Sequence, residues 1–198
     1  MVERFLTQTS FASQEDFRRN LHIRVPENFN FAYDVVDAYA AEQPDKKALL
    51  WTNDQGEEIQ FTFADLKRES DRTASWFRSL GIGKGDAVML ILKRRYEFWF
   101  SILALHKLGA VVIPATHLLT KKDIVYRNNY ADVKAVICVN EGDIPLHVEQ
   151  AAPESRTLQT KILVEGAREG WLSFDEGLAA ASEEFPRPTG EAATTLHD

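Results

Sequence analysis

Several things are scarce in this 198-residue chain, and each scarcity excludes something. There is a single cysteine, Cys138, so no internal disulfide can form. A lone thiol fits a reducing compartment. No apolar run reaches the roughly 18 residues of a membrane span, and "MVERFLTQTS" is too polar for a secretory leader. Basic residues are the minority: 23 Lys and Arg stand against 30 Asp and Glu, a formal charge of −7. Nucleic-acid binders concentrate positive charge, so no nucleic-acid partner is expected. His22, His106, His147 and His197 are scattered, with no H-E-x-x-H and no cysteine partners, so no metal site is expected. No G-x-S-x-G elbow occurs, and no pair of carboxylates stands in a context that picks out an acid and a base. No catalytic residue is assigned. The expectation is a soluble, cytoplasmic protein.

What is present is a core-sized apolar fraction, 44% of residues. A chain of this length buries about 70% of its unfolded surface, enough for one core. Ser13 and Asp16 form a capping-box pattern ahead of Phe17 and Leu21. "FNFAYDVVDAYAAEQP" places Phe31, Val35, Val36 and Tyr39 on one helical face, and Pro44 ends the helix. "KALLWTNDQGEEIQFTF" reads as a β-hairpin about Asn53-Asp54-Gln55-Gly56. Thr62 with Asp65 caps a helix carrying Leu66, Ser70, Thr73, Phe77 and Leu80, closed by Gly81.

A strand–helix rhythm follows. "DAVMLIL", "AVVIPAT" and "KAVICVN" are continuous apolar runs of the kind buried on both faces of a parallel sheet, and "KILVEG" is a fourth strand. Between them lie "RYEFWFSILALHKL", apolar nearly all round and so buried, with its Trp and Phe in the core; "KKDIVYRNNY", capped by Thr120 and Asp123; and a helix over roughly 143–155. Ser173 with Glu176 caps a last helix carrying Phe174, Leu178 and Ala181. This order predicts an α/β fold: a mostly parallel sheet flanked by helices, preceded by a helical segment and a hairpin. The domains expected are a helical segment over 1–28, an α/β unit over 29–182, and a linker or truncated tail over 183–198.

Open parallel sheets bind ligands beyond the carboxyl ends of their strands. Four spots qualify: Lys93-Arg94-Arg95, Thr116-His117, Asn140-Glu141 and Glu165-Gly166. If the first two strands are neighbours, the basic triplet lies near the Thr-His pair and offers a hold on phosphates; the alternative is a solvated loop. "GIGKGD" is no phosphate loop, because its glycines close a helix and precede a strand, and Lys84 is followed by glycine. Cys138, within "AVICV", reads as a small buried hydrophobe.

The segments from about Phe29 onward resemble the N-terminal region of adenylate-forming (AMP-binding) enzymes, and more narrowly acyl-CoA synthetases of the acetyl and medium-chain type. "ALLWTNDQGEEIQFTFADL" resembles the family's early hairpin and the motif before its first long helix. "LGIGKGDAVMLIL" resembles its turn into the first buried strand. "LALHKLGAVVIPATHLLTKKDIVYR", the most specific match, resembles its second core motif. "LKRRYEFWF" departs from the proline-containing turn the family often has there. The resemblance implies a ligase that joins a carboxylic acid to coenzyme A, using ATP with Mg2+ and releasing AMP and pyrophosphate. It implies that His117, flanked by Thr116 and Leu118, approaches coenzyme A. The family's Ser/Thr/Gly-rich loop ending in lysine, its aromatic-Thr-Glu motif, its ribose-binding aspartate and its C-terminal catalytic lysine have no counterpart in this sequence.

The chain is therefore expected to be a fragment, inactive by itself, with the remainder of the ligase as its partner. It should hold no tightly bound cofactor and should self-associate through the surfaces that would meet that remainder. Two other readings compete: a self-contained doubly wound nucleotide- or flavin-binding domain, and a non-enzymatic interaction module.

Overall fold

The computed structural model describes residues 2–195. The N-terminal region is thinly packed. Helix α1 (Gln14–Asn20) buries no side chain. Ser13 Oγ accepts from the Asp16 amide, but the Asp16 carboxylate takes the Ala12 amide rather than that of Ser13, so only half of the expected box forms. Next comes a π-helical turn over Ala32–Asp37, which runs into α2 (Ala38–Glu42). A π turn is wider than an α turn and shifts the stripe. The buried positions are consequently Ala32, Val36 and Ala40, while Phe31 is half exposed; the face expected from Phe31 and Tyr39 is displaced.

Strands β1 (Lys47–Thr52) and β2 (Glu58–Thr62) form the expected hairpin as a separate antiparallel pair. Asn53 Oδ1 accepts the Gln55 and Glu57 amides in its turn. Thr62 and Asp65 close a full capping box on α3 (Phe63–Ser79), whose Leu66, Ser70, Thr73 and Phe77 are buried. The Gly81–Asp86 segment is a helix stop and turn. Gly81 sits at φ +81°, and Asp86 accepts the Gly83 amide.

The main sheet contains β3 (Ala87–Ile91), β4 (Val111–Pro114), β5 (Val133–Val139), β6 (Thr160–Val164) and a two-residue β7 (Leu172–Ser173) that the sequence pattern does not show. All neighbours are parallel, in the order β4-β3-β5-β6-β7. Helices α4 (Glu97–Leu108), α5 (Lys121–Tyr130), α6 (Ile144–Ala151) and α7 (Phe174–Ala179) cover it. Ala181 lies beyond the end of α7.

Alternation along the strands divides the core. Val88, Leu90 and Leu92 join Ala135, Ile137, Ile162 and Val164 against α3, α4 and α7. Ala87, Met89 and Ile91 join Val136, Cys138 and Leu163 against α5 and α6. Each large apolar side chain buried in this way contributes about 1.5–3 kcal/mol. At α7 the packing is close enough that a methyl group on Gly177 would fall 2.1 Å from the Trp76 ring.

Two expectations fail here. "AVVIPAT" is not buried on both faces. As β4 it is the edge strand, with Val111 half exposed. The aromatic run of α4 is not wholly core either, since Phe100 is buried but Trp99 is 47% exposed.

The same helix carries an ion-pair core. Lys107 is fully buried and donates to Asp37 Oδ1 at 2.9 Å and Asp71 Oδ1 at 2.6 Å, with the Tyr33 ring 5.4 Å from its ammonium. Residues 183–195 pack back on the N-terminal elements. Phe185 is buried under the Arg78 guanidinium. Arg187 grips Asp34 with bonds of 2.7 and 3.0 Å, and Asn30 donates to the Thr194 hydroxyl at 3.0 Å. His197 lies outside the described residues.

Candidate functional site

Pairing of β3 with β4 and β5 brings three loops together at the carboxyl edge. The loop after β3 carries Lys93-Arg94-Arg95. Lys93 has φ +50°, a left-handed conformation that is strained for a residue with a Cβ. The rest of the triplet is anchored. The Trp51 indole donates to the Arg94 carbonyl at 2.7 Å. Arg95 pairs with Glu97 at 3.1 Å and Glu165 at 2.7 Å, and packs over the rings of Trp51 and Tyr96. Arg95 thus fastens the hairpin to the sheet edge. Lys93 is bonded to Glu141 from the loop after β5.

The loop after β4 holds Thr116, His117 and Leu118. All three are exposed, Leu118 to 74%. Thr116 Oγ1 accepts the Leu118 amide at 3.3 Å, a short-range turn contact. Leu119 turns inward and is buried. Its carbonyl meets His147 Nδ1 at 2.9 Å. A carbonyl only accepts, so the Nδ1 proton is on the ring there.

These loops enclose a cleft of about 270 Å³. Leu119, Val139 and Ile144 supply its apolar lining, and Lys93, His117, Glu141, Asp143 and His147 its polar one. An adjoining cleft of about 420 Å³ shares Lys93 and His117, and adds Arg94, Thr116, Phe98 and Pro114. Lys93 and His117 therefore stand between two hollows at one sheet edge.

Other hollows lack this chemistry. One, of about 450 Å³, lies between α3 and α7 around Trp76 and Gly177. Another, of about 420 Å³, opens at the amino end of β4 beside Phe31 and His106, where burial lowers the His106 pKa. Cys138 takes no part: it is fully buried, and desolvation pushes its thiol up to about 12. Among the described residues no group of three or more His, Cys, Asp or Glu is arranged to hold a metal ion.

Of the sequence-derived candidates, His117 and Leu118 line the smaller cleft, whereas Thr116 faces its neighbour. Asp143 and His147 were missed. Asp143 is the N-cap of α6 and His147 lies four residues on, in the first turn of the helix; their place just after the third strand was the available signal.

Comparison with known proteins bears on what such an edge serves. The chain matches the family of AMP-binding enzymes over residues 36–196. It is 36% identical over 167 residues to the rat protein "Acyl-coenzyme A synthetase ACSM5, mitochondrial", covering 81% of this chain and 28% of that one. To the Pongo abelii protein "Acyl-coenzyme A synthetase ACSM3, mitochondrial" it is 34% identical over 187 residues, covering 91% of this chain and 32% of that one. Among solved structures, the anthranilate CoA ligase AuaEII in complex with anthranoyl-AMP superimposes with a TM-score of 0.73 at 25% identity, over 86% of this chain and 31% of that one. A Brucella canis acyl-CoA synthetase gives 0.70, also at 25% identity, over 81% of this chain and 29% of that one. The chain thus spans less than a third of the length of each of these relatives.

The cytoplasmic expectation is contradicted by the ACSM relatives, whose names place them in the mitochondrion. A lone thiol points to a reducing environment and does not tell one reducing compartment from another. The continuous match over residues 36–196, with the same parallel sheet in ligases of known structure, decides the family: this chain belongs to the AMP-binding enzymes.

Proposed function

We propose that this chain forms the N-terminal part of an ATP-dependent acyl-CoA synthetase, and that the cleft at its carboxyl edge receives the phosphorylated end of coenzyme A. In that reaction a carboxylate oxygen attacks the α-phosphorus of ATP and pyrophosphate leaves. The thiol sulfur of coenzyme A then attacks the acyl carbon, its proton is lost, and AMP leaves. ATP brings Mg2+ with its phosphates. The described residues contribute a hold on one substrate and no reacting group, so the chain by itself is inactive in this reading.

One observation carries the proposal. Lys93 and His117, from the loops after β3 and β4, and His147, from α6, line a single cleft at the carboxyl edge of a parallel sheet. Side chains gathered there from distant parts of the sequence are the pattern expected of a ligand site. Trp51 and Arg95 fix the β3 loop from below, so the hold on the ligand is set by rigid neighbours rather than by a free loop.

The test is ATP–pyrophosphate exchange across short and medium-chain acids, on this chain and on a ligase extended to the relatives' length. Exchange by the extended protein alone is the expected result; absence of exchange by both would remove the ligase reading. In the extended protein, His117→Ala should raise KM for coenzyme A about tenfold, as the loss of one charge-assisted contact of about 1.4 kcal/mol would, and leave pyrophosphate exchange unchanged. An unaltered KM would remove His117 from the site.

A further inference from the structure

The cleft is poorly prepared for an anion as it stands. Among the described residues Lys93 is the only lysine or arginine lining it, and two carboxylates, Glu141 and Asp143, line it as well. Moreover Lys93 is already bonded to Glu141. Two carboxylates against one ammonium oppose an incoming phosphate.

We propose that Glu141 is a built-in competitor for the ligand of this cleft: binding of a phosphate group exchanges Lys93 from the Glu141 carboxylate to the ligand, so Glu141 sets the affinity and selects for ligands charged enough to displace it. The inference rests on the cleft being the anion site of the preceding reading.

Three features favour exchange over a fixed structural pair. The pair is exposed, the Lys93 side chain to 35% and that of Glu141 to 54%, and exposed pairs are held weakly. A phosphate carries more charge and more acceptor oxygens than a carboxylate, and is the stronger partner once it arrives. Finally, within the basic triplet only Lys93 has a partner across the cleft. The Arg94 carbonyl is pinned by Trp51, and Arg95 by Glu97 and Glu165. Lys93 lines both hollows and has a φ of +50°, the kind of backbone strain that gathers at ligand clamps. Asp143 is the internal comparison. It lines the same cleft and carries the same charge, yet makes no ion pair with Lys93 among the described residues.

Calorimetric titration of the 198-residue chain with coenzyme A, and with phosphate-free pantetheine as control, tests this. Exposure of Glu141 makes Glu141→Gln safe for folding, and melting curves check it; Glu141→Ala serves as a second variant. The expected result is a coenzyme A Kd about three- to tenfold lower for Glu141→Gln, from release of an exposed pair and removal of one repelling charge. The gain should vanish in a Lys93→Met background, and pantetheine should be unaffected. Asp143→Asn should also tighten binding by removing charge, but its gain should persist with Lys93→Met. Coenzyme A binding by Glu141→Gln alone would support the proposal equally. If the wild type binds and Lys93→Met weakens binding, while Glu141→Gln binds no better than the wild type, the competitor role is overturned and the cleft assignment stands. If neither the wild type nor Glu141→Gln binds coenzyme A, both are overturned.

Discussion

Lys107 and Lys93 are each paired to carboxylate, and they illustrate opposite uses of the same bond. Lys107 is sealed between Asp37 and Asp71 with no exposure of its side chain. Lys93 meets Glu141 at the rim of an open cleft. Burial decides the difference. In the interior each charge has lost its water and can be stabilised only by its partners, so the group is locked. At the rim water and ligands compete with the partner, so the bond is exchangeable. Position along the chain follows the same division. Lys107 ties α4 to α3 and to the N-terminal π turn, whereas Lys93 bridges two loops at the carboxyl edge of the sheet.

The largest effect should come from breaking the buried member. Lys107→Met takes from the buried Asp71 one of its two lysine partners, leaving Lys67, and takes from the partly buried Asp37 its ammonium; loss of one partner from such a group costs up to about 3–5 kcal/mol. Desolvation already raises the Asp37 pKa against the pull of Lys107; without the lysine that carboxyl should protonate still more readily. The variant should melt far below the wild type and recover partly as pH is lowered through the acidic range, because a raised folded pKa favours the folded state on its acidic side. Replacing Lys107, Asp37 and Asp71 together by apolar residues should cost much less than Lys107→Met alone. Equal losses for the single and triple variants would show that the group acts by packing rather than by charge.

Lys93 sharpens the contrast at a smaller scale. Lys93→Met should change stability by less than about 1 kcal/mol, as exposed pairs do. Lys93→Gly removes the same charge but suits φ +50°, and should be more stable than Lys93→Met by about 1 kcal/mol. Urea unfolding of the two variants side by side gives that difference directly; a less stable glycine variant would mean that the left-handed turn is not strained.

How much of this was legible in the sequence depends on the range of the causes. The capping boxes at Thr62 and Thr120 were readable because both partners sit three residues apart. β3 and β5 were readable because burial on both faces leaves continuous apolar runs. β4 has the same kind of run, and only strand order makes it an edge. Pro114 was the local hint, since proline within a sheet keeps to edges. Lys107 looked like one more polar residue in "LALHKLGA"; its partners lie 70 and 36 residues away, beyond any periodic pattern. The parallel-sheet rule located His117 and the Lys93 loop, because it depends only on where strands end. It did not reach Glu141 as the partner of Lys93, or His147 as a wall of the cleft, because both depend on which loops the fold brings together.

The smallest effect lies between the two lysines in kind. Glu149 accepts from Arg168 at 2.5 and 2.8 Å and from the Trp171 indole at 2.9 Å. Arg168 is the main reason its carboxyl is held down at about 2, well below the ordinary glutamate range. The folded carboxyl binds its proton less readily than the unfolded one. The pair therefore stabilises the folded state above the ordinary glutamate range, and that contribution is lost as pH falls toward about 2. The Glu149 side chain is 28% exposed and that of Arg168 35%, so solvent screens the pair and its worth stays below about 1 kcal/mol. Glu149→Gln should accordingly lower the melting temperature by a few degrees at pH 7, and the gap to the wild type should narrow steadily on acidification below the glutamate range. Raising salt at pH 7 should shrink the same gap, because a partly exposed pair is screened, while leaving the deficit of Lys107→Met nearly intact. A gap for Glu149→Gln that ignores both pH and salt would place this pair with Lys107, among the locked contacts, in spite of its exposure.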